Sequence, residues 1–370
     1  MKIAMIAGYS YPCVSGVWGV AYEMSRRLVE KGHEVHIFSS NEVFGSDKKS
    51  GSYEKYKGIH IHRFPVKWKI GKFGVSFDFE KELKKIKPNV IHAHVYRAPF
   101  AHKALKVAKK LGIKCFLTTH APFVEKKLRS GFTNLMVGFY DMFFGKKDLN
   151  GYTKVLAITK WEIPYLLNLG CDKGKILYLP NGLSDDFLKV KLPKKNEKKI
   201  LFFGRIDPIK DVETLVRAAS LVEGAKFEIV GPYEKEYLDH LKNLVEEMGL
   251  DHVSFKEGIF GVKKKINLYK QHGIFVLPSK REAMPLAVLE AMSCGCLVIG
   301  SNNKGCSELI GKDRGFLFDV GDHEELAKKL LYCLDNINRL KGIRKEGKNF
   351  TKKFSWQKIV DKLERLYLGK

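Results

Sequence analysis

A chain of 370 residues exceeds one ordinary core, so two domains of common size are the first expectation. Its 45% apolar content excludes a disordered polymer, and no run approaches the ~18 apolar residues of a membrane-spanning helix. The net charge is +25 and unevenly spread, with 31 Lys and Arg against 14 Asp and Glu in residues 1–184. That surplus suits nucleic acid, an anionic lipid surface or an anionic substrate, and equally a Lys-rich, heat-adapted surface with no partner.

The chain opens with "KIAMIA", a buried strand too short and too plainly bounded for a signal peptide. A helix is expected over residues 16–31, where Val20, Met24 and Leu28 recur at helical spacing, and "EVHIFSS" reads as the next strand. "NVIHAH", a helix over 98–111, "KCFLTTH" and "KVLAIT" continue the alternation. Alternating strands and helices build a parallel sheet with crossover helices. Pro, Gly and charge then cluster, so residues 181–198 read as a linker between domains at 1–180 and 199–354. The rhythm restarts with "ILFFG", a helix over 212–222, "KFEIVG", "VSFKEG", "GIFVLPS", a helix over 286–293 and "LVIGS". The expected fold is α/β, two doubly wound domains facing a cleft, with ligands outside the carboxyl ends of the strands.

Several chemistries are missing. No G-x-G-x-x-G follows the first strand, and the second ends in Ser39, Ser40 and Asn41 with no acid placed to grip a ribose, which argues against an NAD site. "GCSELIGKD" has the wrong spacing for a phosphate loop, and no D-x-D triplet offers a metal–diphosphate clamp. The seven cysteines form no paired metal spacing and read as reduced thiols of a cytoplasmic protein, although Cys294, Cys296 and Cys306 lie close enough in sequence for a zinc site to be weighed.

The stretch "PSKREAMPLAVLEAMSCGCLVIGS" carries the richest chemistry. Pro278 and Ser279 end a strand, Glu282 falls in the loop, and Pro285 suits the start of a helix running through Glu290. Backbone N–H groups near Met284, Leu286 and Ala287 would then meet a phosphate or diphosphate. Glu282 is placed to accept from the hydroxyls of a sugar, and Glu290 from those of a ribose. A solvated loop glutamate and a helix glutamate favoured by the macrodipole make the plainer reading. Earlier, "FFGRIDPIKDVETLVRAA" sets Gly204, Arg205 and Lys210 in one loop after a strand, two cations that neutralise a diphosphate without metal.

"GRIDPIKDVETL" and "EAMPLAVLEAMSCGCLVIGS" resemble the donor-binding motifs of family 4 retaining glycosyltransferases, which have the GT-B fold. The resemblance extends through "PCVSGVWGVAYEMSRRLVEKGHEVHIFSS", "NVIHAH", "TTHAPF", "LPNGL" and "GCSELIGKDRGFLFDVGDHEELAKKL". It implies that Arg205 and Lys210 hold donor phosphates, Glu282 the donor sugar and Glu290 the ribose. It also implies that Gly16 belongs to a loop over the diphosphate, that His120 faces the transferred sugar, and that Ile259 offers its backbone to the base. The acceptor would lie on the N-terminal domain, the donor on the C-terminal one, and a helix at 355–370 would cross back to the first. Two departures stand out. Ser15 precedes Gly16 where paired glycines are usual, and Ala283–Met284 replaces Gly-Phe beside the sugar.

The expected reaction moves a hexosyl group from a UDP- or GDP-sugar to a sugar or lipid-linked acceptor with retention and without metal or cofactor. A basic lipid- or nucleic-acid-binding protein with an inactive sugar site, and a sugar-nucleotide epimerase of the same fold, remain the alternatives. No nucleic-acid motif supports the former. Between 126 and 147, Leu128, Phe132, Leu135, Met136, Phe139, Met142 and Phe143 form an apolar helical stripe with basic ends. It reads either as core or as a face resting on the inner surface of a membrane.

Overall fold

Among the described residues, the first part of the chain forms ten strands: β1 (Lys2–Ile6), β2 (Glu34–Ser40), β3 (Tyr53–Tyr56), β4 (Ile59–Phe64), β5 (Val66–Ile70), β6 (Gly74–Phe77), β7 (Val90–His94), β8 (Lys114–Thr118), β9 (Lys154–Ala157) and β10 (Ile176–Tyr178). The computed structural model describes residues 1–370 apart from 13–15, 44–47, 72–73, 126–128, 193–197 and 260. Its chain divides into two units, Met1–Asn181 with Trp356–Lys370, and Gly182–Ser355.

The first unit is built on one sheet in the order β10-β9-β8-β7-β1-β2-β4-β3, parallel except for the β3–β4 pair, while β5 and β6 form a separate antiparallel hairpin. Its central strands are apolar on both faces because helices cover both. β7 is buried at every residue, whereas β4, near the edge, alternates, with Ile59, Ile61 and Arg63 inward. The helix Gly16–Glu30 contributes Val20, Met24 and Leu28 to the core.

The C-terminal helix Trp356–Leu368 completes that core. Trp356, Ile359, Val360, Leu363 and Tyr367 are buried with Ile3, Met5 and Met24, each worth about 1.5–3 kcal/mol on burial. Tyr367 Oη meets His92 Nδ1 at 2.5 Å, and Glu364 pairs with Lys31 and His33 at 2.8 Å each. Trp356 is thus a core residue of the first unit, packed on strands from the opposite end of the chain.

The second unit holds six parallel strands, β11 (Lys199–Phe203), β12 (Lys226–Val230), β13 (Val253–Lys256), β14 (Ile274–Leu277), β15 (Leu297–Ser301) and β16 (Phe316–Phe318). Their order is β13-β12-β11-β14-β15-β16, so the sheet grows outward from β11 in one direction and from β14 in the other. Residues 182–190, expected within a linker, belong to this unit: Leu183 and Phe187 are buried, and Phe187 meets the Tyr269 ring edge-on. The expected helix over 212–222 ends at Ala219.

The stripe expected between 126 and 147 forms the helix Gly131–Tyr140 and a π-helical turn Asp141–Gly145. No residue of that first helix is buried, so the core reading fails there; Leu128 and Lys126 lie outside the described residues.

Candidate functional site

In the second unit β11 and β14 are neighbours whose chain connections depart in opposite directions. A crevice opens outside their carboxyl ends at such a reversal, because the following helices lie on opposite faces of the sheet. The loops that leave these two strands carry Gly204, Arg205 and Lys210 on one side and Ser279 and Glu282 on the other. Backbone and side chain stitch them together: Lys280 N–H donates to the Ile209 carbonyl at 2.9 Å, and Lys280 Nζ stands 3.3 Å from Asp211 Oδ1.

The pairing of cations and carboxylates here is direct. Lys210 Nζ donates to Glu282 Oε1 at 2.5 Å, and Ser279 Oγ donates to the same oxygen at 2.8 Å. Asp207 organises the other cation and the loop. Its buried Oδ1 accepts from the N–H groups of Ile209 and Lys210 at 3.0 and 3.1 Å, while Oδ2 lies 2.5 Å from Arg205 Nε as an ion pair outside hydrogen-bonding geometry. The Arg205 side chain remains about half exposed, with guanidinium donors to spare.

The chain's own packing demands glycine at two further places. A Cβ on Gly204 would make only ordinary contact, at 3.4 Å from Phe202. On Gly231, which follows β12, it would fall 1.7 Å from the Gly204 carbonyl oxygen, so Gly231 has no room for a side chain. Gly305 plays the same part beneath the acid loop, where a Cβ would lie 2.6 Å from the Glu282 carbonyl oxygen.

Pro285 is the N-cap residue of the helix Leu286–Ser293, one position before the first-turn place expected for it. Met284 is buried, and Leu286 and Ala287 are half-buried in the helix's opening turn, where the Val288 N–H donates to the Pro285 carbonyl at 3.1 Å. Glu290 is buried one turn on. Its Oε1 accepts from Lys265 Nζ at 3.0 Å and its Oε2 from Tyr269 Oη at 2.9 Å. Both carboxylate oxygens are thus engaged by the helix Val262–Lys270, and Lys265 also lies 5.3 Å from the Phe203 ring centre at the end of β11. Ile259 is half-buried in the loop between β13 and that helix.

The residues expected from the first half lie in the first unit. Gly16 starts the helix Gly16–Glu30, and a methyl group added to it would meet nothing within 4 Å among the described residues; Ser15 lies outside them. His120 follows β8 with φ of 57°, a left-handed conformation costly for a residue with a Cβ. Its Nε2 stands 2.9 Å from Nδ1 of fully buried His94, whose own Nε2 has no hydrogen-bond partner among the described residues. Burial pushes His120 and His92 down to about 3 and His94 well below its usual value. These rings are neutral at pH 7, able to share hydrogen bonds with hydroxyls but not to act as cations. His92 is spent on structure, bonded to Tyr367 and to Thr118 Oγ1 at 2.8 Å.

Five residues escape a reading of the sequence: Asp207, Gly231, Lys265, Tyr269 and Glu162. Glu162 is buried, its carboxyl raised to about 7 by that burial, and it accepts from Ile158 N–H at 2.6 Å, Thr159 N–H at 3.2 Å and Thr119 Oγ1 at 2.7 Å. It thereby braces the turn that presents His120. Only Asp207 has a visible signal, an acid between two cations in "GRIDPIK". No group of three His, Cys, Asp or Glu side chains suited to a metal occurs among the described residues, and Cys294, Cys296 and Cys306 are separately buried thiols.

Two family models divide the chain between them. "Glycosyltransferase Family 4" matches residues 14–187 and "Glycosyl transferases group 1" matches 184–350. An uncharacterized glycosyltransferase of Methanocaldococcus jannaschii is 25% identical over 99% of this chain and 98% of its own. The UDP-Gal:alpha-D-GlcNAc-diphosphoundecaprenol alpha-1,3-galactosyltransferase of Escherichia coli is 26% identical over 96% and 94%. In fold, the chain is similar to Anabaena HepE solved with UDP and glucose, with a TM-score of 0.76 at 17% identity and full coverage of both chains.

Proposed function

The chain belongs to glycosyltransferase family 4 and is a glycosyltransferase of GT-B fold, and we propose that it is a retaining hexosyltransferase that uses a nucleotide-diphosphate sugar without metal. One observation carries that reading: two cations and two buried or half-buried carboxylates converge at the strand reversal of the second unit. A diphosphate needs positive charge and free N–H donors, and a hexose and a ribose each need an acceptor for paired hydroxyls. Arg205 and Lys210 supply the charge, the start of the helix Leu286–Ser293 supplies N–H groups, and Glu282 and Glu290 receive the two polyols. The donor is a UDP- or GDP-sugar; the fold likeness to a protein solved with UDP and glucose agrees with that class.

The ion pairs describe the resting site. Lys210 neutralises Glu282, and Lys265 neutralises Glu290, so neither carboxylate stands uncompensated before a ligand arrives. Donor binding brings phosphate oxygens to Lys210 and sugar hydroxyls to Glu282, an exchange of partners at little net loss of charge pairing.

In the transfer, the bond between the anomeric carbon and the diphosphate oxygen breaks and its electron pair leaves with the diphosphate. The acceptor oxygen bonds to the same face of that carbon, and its proton passes to the departing phosphate. Arg205 and Lys210 stabilise the charge that grows on the leaving oxygens, held in place beforehand by Asp207. Neutral His120 hydrogen-bonds a hydroxyl of the transferred sugar. The acceptor is a sugar or a lipid-linked sugar, a class that the name of the Escherichia coli relative supports.

Thermal-shift and donor-hydrolysis measurements against UDP, GDP and ADP and their common sugar conjugates, with chelator present, test the reading. Stabilisation by one nucleotide, weakened in Glu290→Ala and joined by slow sugar release, is the expected result. No stabilisation by any of them, or activity that requires added metal, refutes it.

A further inference from the structure

The segment from Gly131 to Gly145, "GFTNLMVGFYDMFFG", has a single charged side chain, Asp141, and an outer face with no cover in its own unit among the described residues. Phe132, Leu135, Met136, Phe139, Met142 and Phe143 are each between 41% and 72% exposed. Scattered apolar side chains are ordinary on a surface, but six on one short helical segment form a patch that soluble surfaces avoid unless something binds it.

The patch is held out by a built anchor. Arg97 clamps the Asp141 carboxylate from Nε at 2.8 Å and from Nη2 at 2.6 Å, and Tyr96 Oη adds a bond at 3.1 Å. Tyr140 Oη donates to Asp148 Oδ2 at 2.6 Å, the same oxygen that meets His102 Nδ1 at 2.5 Å. The π-helical turn turns Tyr140, Asp141 and Gly145 inward while Met142 and Phe143 stay outside. Phe139 and Phe143 pack on one another at the surface, ring centres 4.5 Å apart.

We propose that this face docks the first unit on an anionic membrane surface, with Phe132, Leu135, Phe139, Met142 and Phe143 entering the interfacial layer. Charge selects that occupant. The one carboxylate of the segment is cancelled by Arg97, and Lys146 and Lys147 follow it, both exposed. The surrounding half of the chain carries 31 Lys and Arg against 14 Asp and Glu. A second copy of a chain at +25 would bring like charge to the same patch, whereas an anionic bilayer brings the opposite charge. Among the described residues no helix is long and apolar enough to cross a membrane, so the segment lies on the surface rather than through it.

Sedimentation of the full chain with vesicles tests this, and it reads binding without reference to the donor site. Vesicles of phosphatidylglycerol and phosphatidylcholine should bind about tenfold more protein than phosphatidylcholine alone, and the excess should fall as salt rises. The combined Phe139→Ser, Met142→Ser and Phe143→Ser variant should lose binding about tenfold while its unfolding temperature and donor hydrolysis stay at wild-type values. The Lys146→Gln, Lys147→Gln variant, which leaves the apolar face whole, should lose binding several-fold. No binding to anionic vesicles at low salt overturns the proposal, as does binding that survives the triple serine change. Light scattering that shows a dimer broken by the serine variant, without vesicle binding, assigns the patch to a second copy and also overturns it.

Discussion

The two sheets reverse their strand order at equivalent places, between β1 and β7 in one unit and between β11 and β14 in the other. What lines the two reversals differs in kind. The second unit places Arg205, Lys210, Asp207 and Glu282 there, ionised groups that neutralise one another. The first places buried Tyr9 and Ser10 after β1, and its neighbouring strand ends carry the neutral His94–His120 pair. One backbone plan therefore supplies a location for ligands, and the side chains at the strand ends decide whether the ligand is charged. A diphosphate suits the second set, and uncharged hydroxyls suit the first.

The largest expected effect falls on the charged reversal. Arg205→Ala or Lys210→Ala should cost about 2 to 4 kcal/mol of transition-state stabilisation, read as a loss of kcat/KM with the fold intact. An unchanged kcat/KM for either variant would remove the distinction drawn between the two reversals. Gly231→Ala should cost about 1–3 kcal/mol in stability, since its methyl group would overlap the Gly204 carbonyl and displace the Arg205 loop. Denaturant unfolding with and without nucleotide would show the loss, and a wild-type midpoint would mean that the loop has slack.

The neutral reversal makes its own prediction with pH. His92 is folded with a value near 3, against about 6.5 when unfolded, so between those values the unfolded chain binds the extra proton. The stability it supports is full above pH 6.5 and drains away as pH falls toward 3, by about 1.4 kcal/mol per unit for one such ring. Thermal unfolding from pH 7 to 4 should show at least this slope, since buried His94 and His120 add to it, and His92→Gln should make it shallower by one ring's share. The smallest effect is expected at Gly16, where an added methyl meets nothing among the described residues: Gly16→Ala should hold or raise stability by up to about 1 kcal/mol. A rise in KM for the donor in that variant, without loss of stability, would tie Gly16 to the diphosphate.

Much of the frame is legible because parallel strands covered on both faces are written as unbroken apolar runs. β1, β7, β8, β11, β14 and β15 announce themselves in this way, as does the C-terminal helix through its 3.6-residue period. The hairpin β5–β6 and the edge pair β3–β4 are not legible, since strands such as "VKWKI" are mostly exposed and mix Lys with aromatic residues. The charged site is legible in type but not in pairing. Arg205, Lys210, Glu282 and Glu290 stand out as residues after strands, yet nothing local joins Lys210 to Glu282, 72 positions away, or Lys265 to Glu290.

The strand–helix alternation, the doubly wound class and the residue types at the strand ends can be read from the letters, because they depend on periodicity and on chemistry within a few residues. Only the packing shows which charges neutralise each other, that Gly231 has no room for a side chain, and that the 131–145 stripe faces outward. Each of those depends on what lies across a sheet or beside a helix. An apolar stripe carries the same letters whether it is covered or bare, and only the packing of the rest of the chain distinguishes the two.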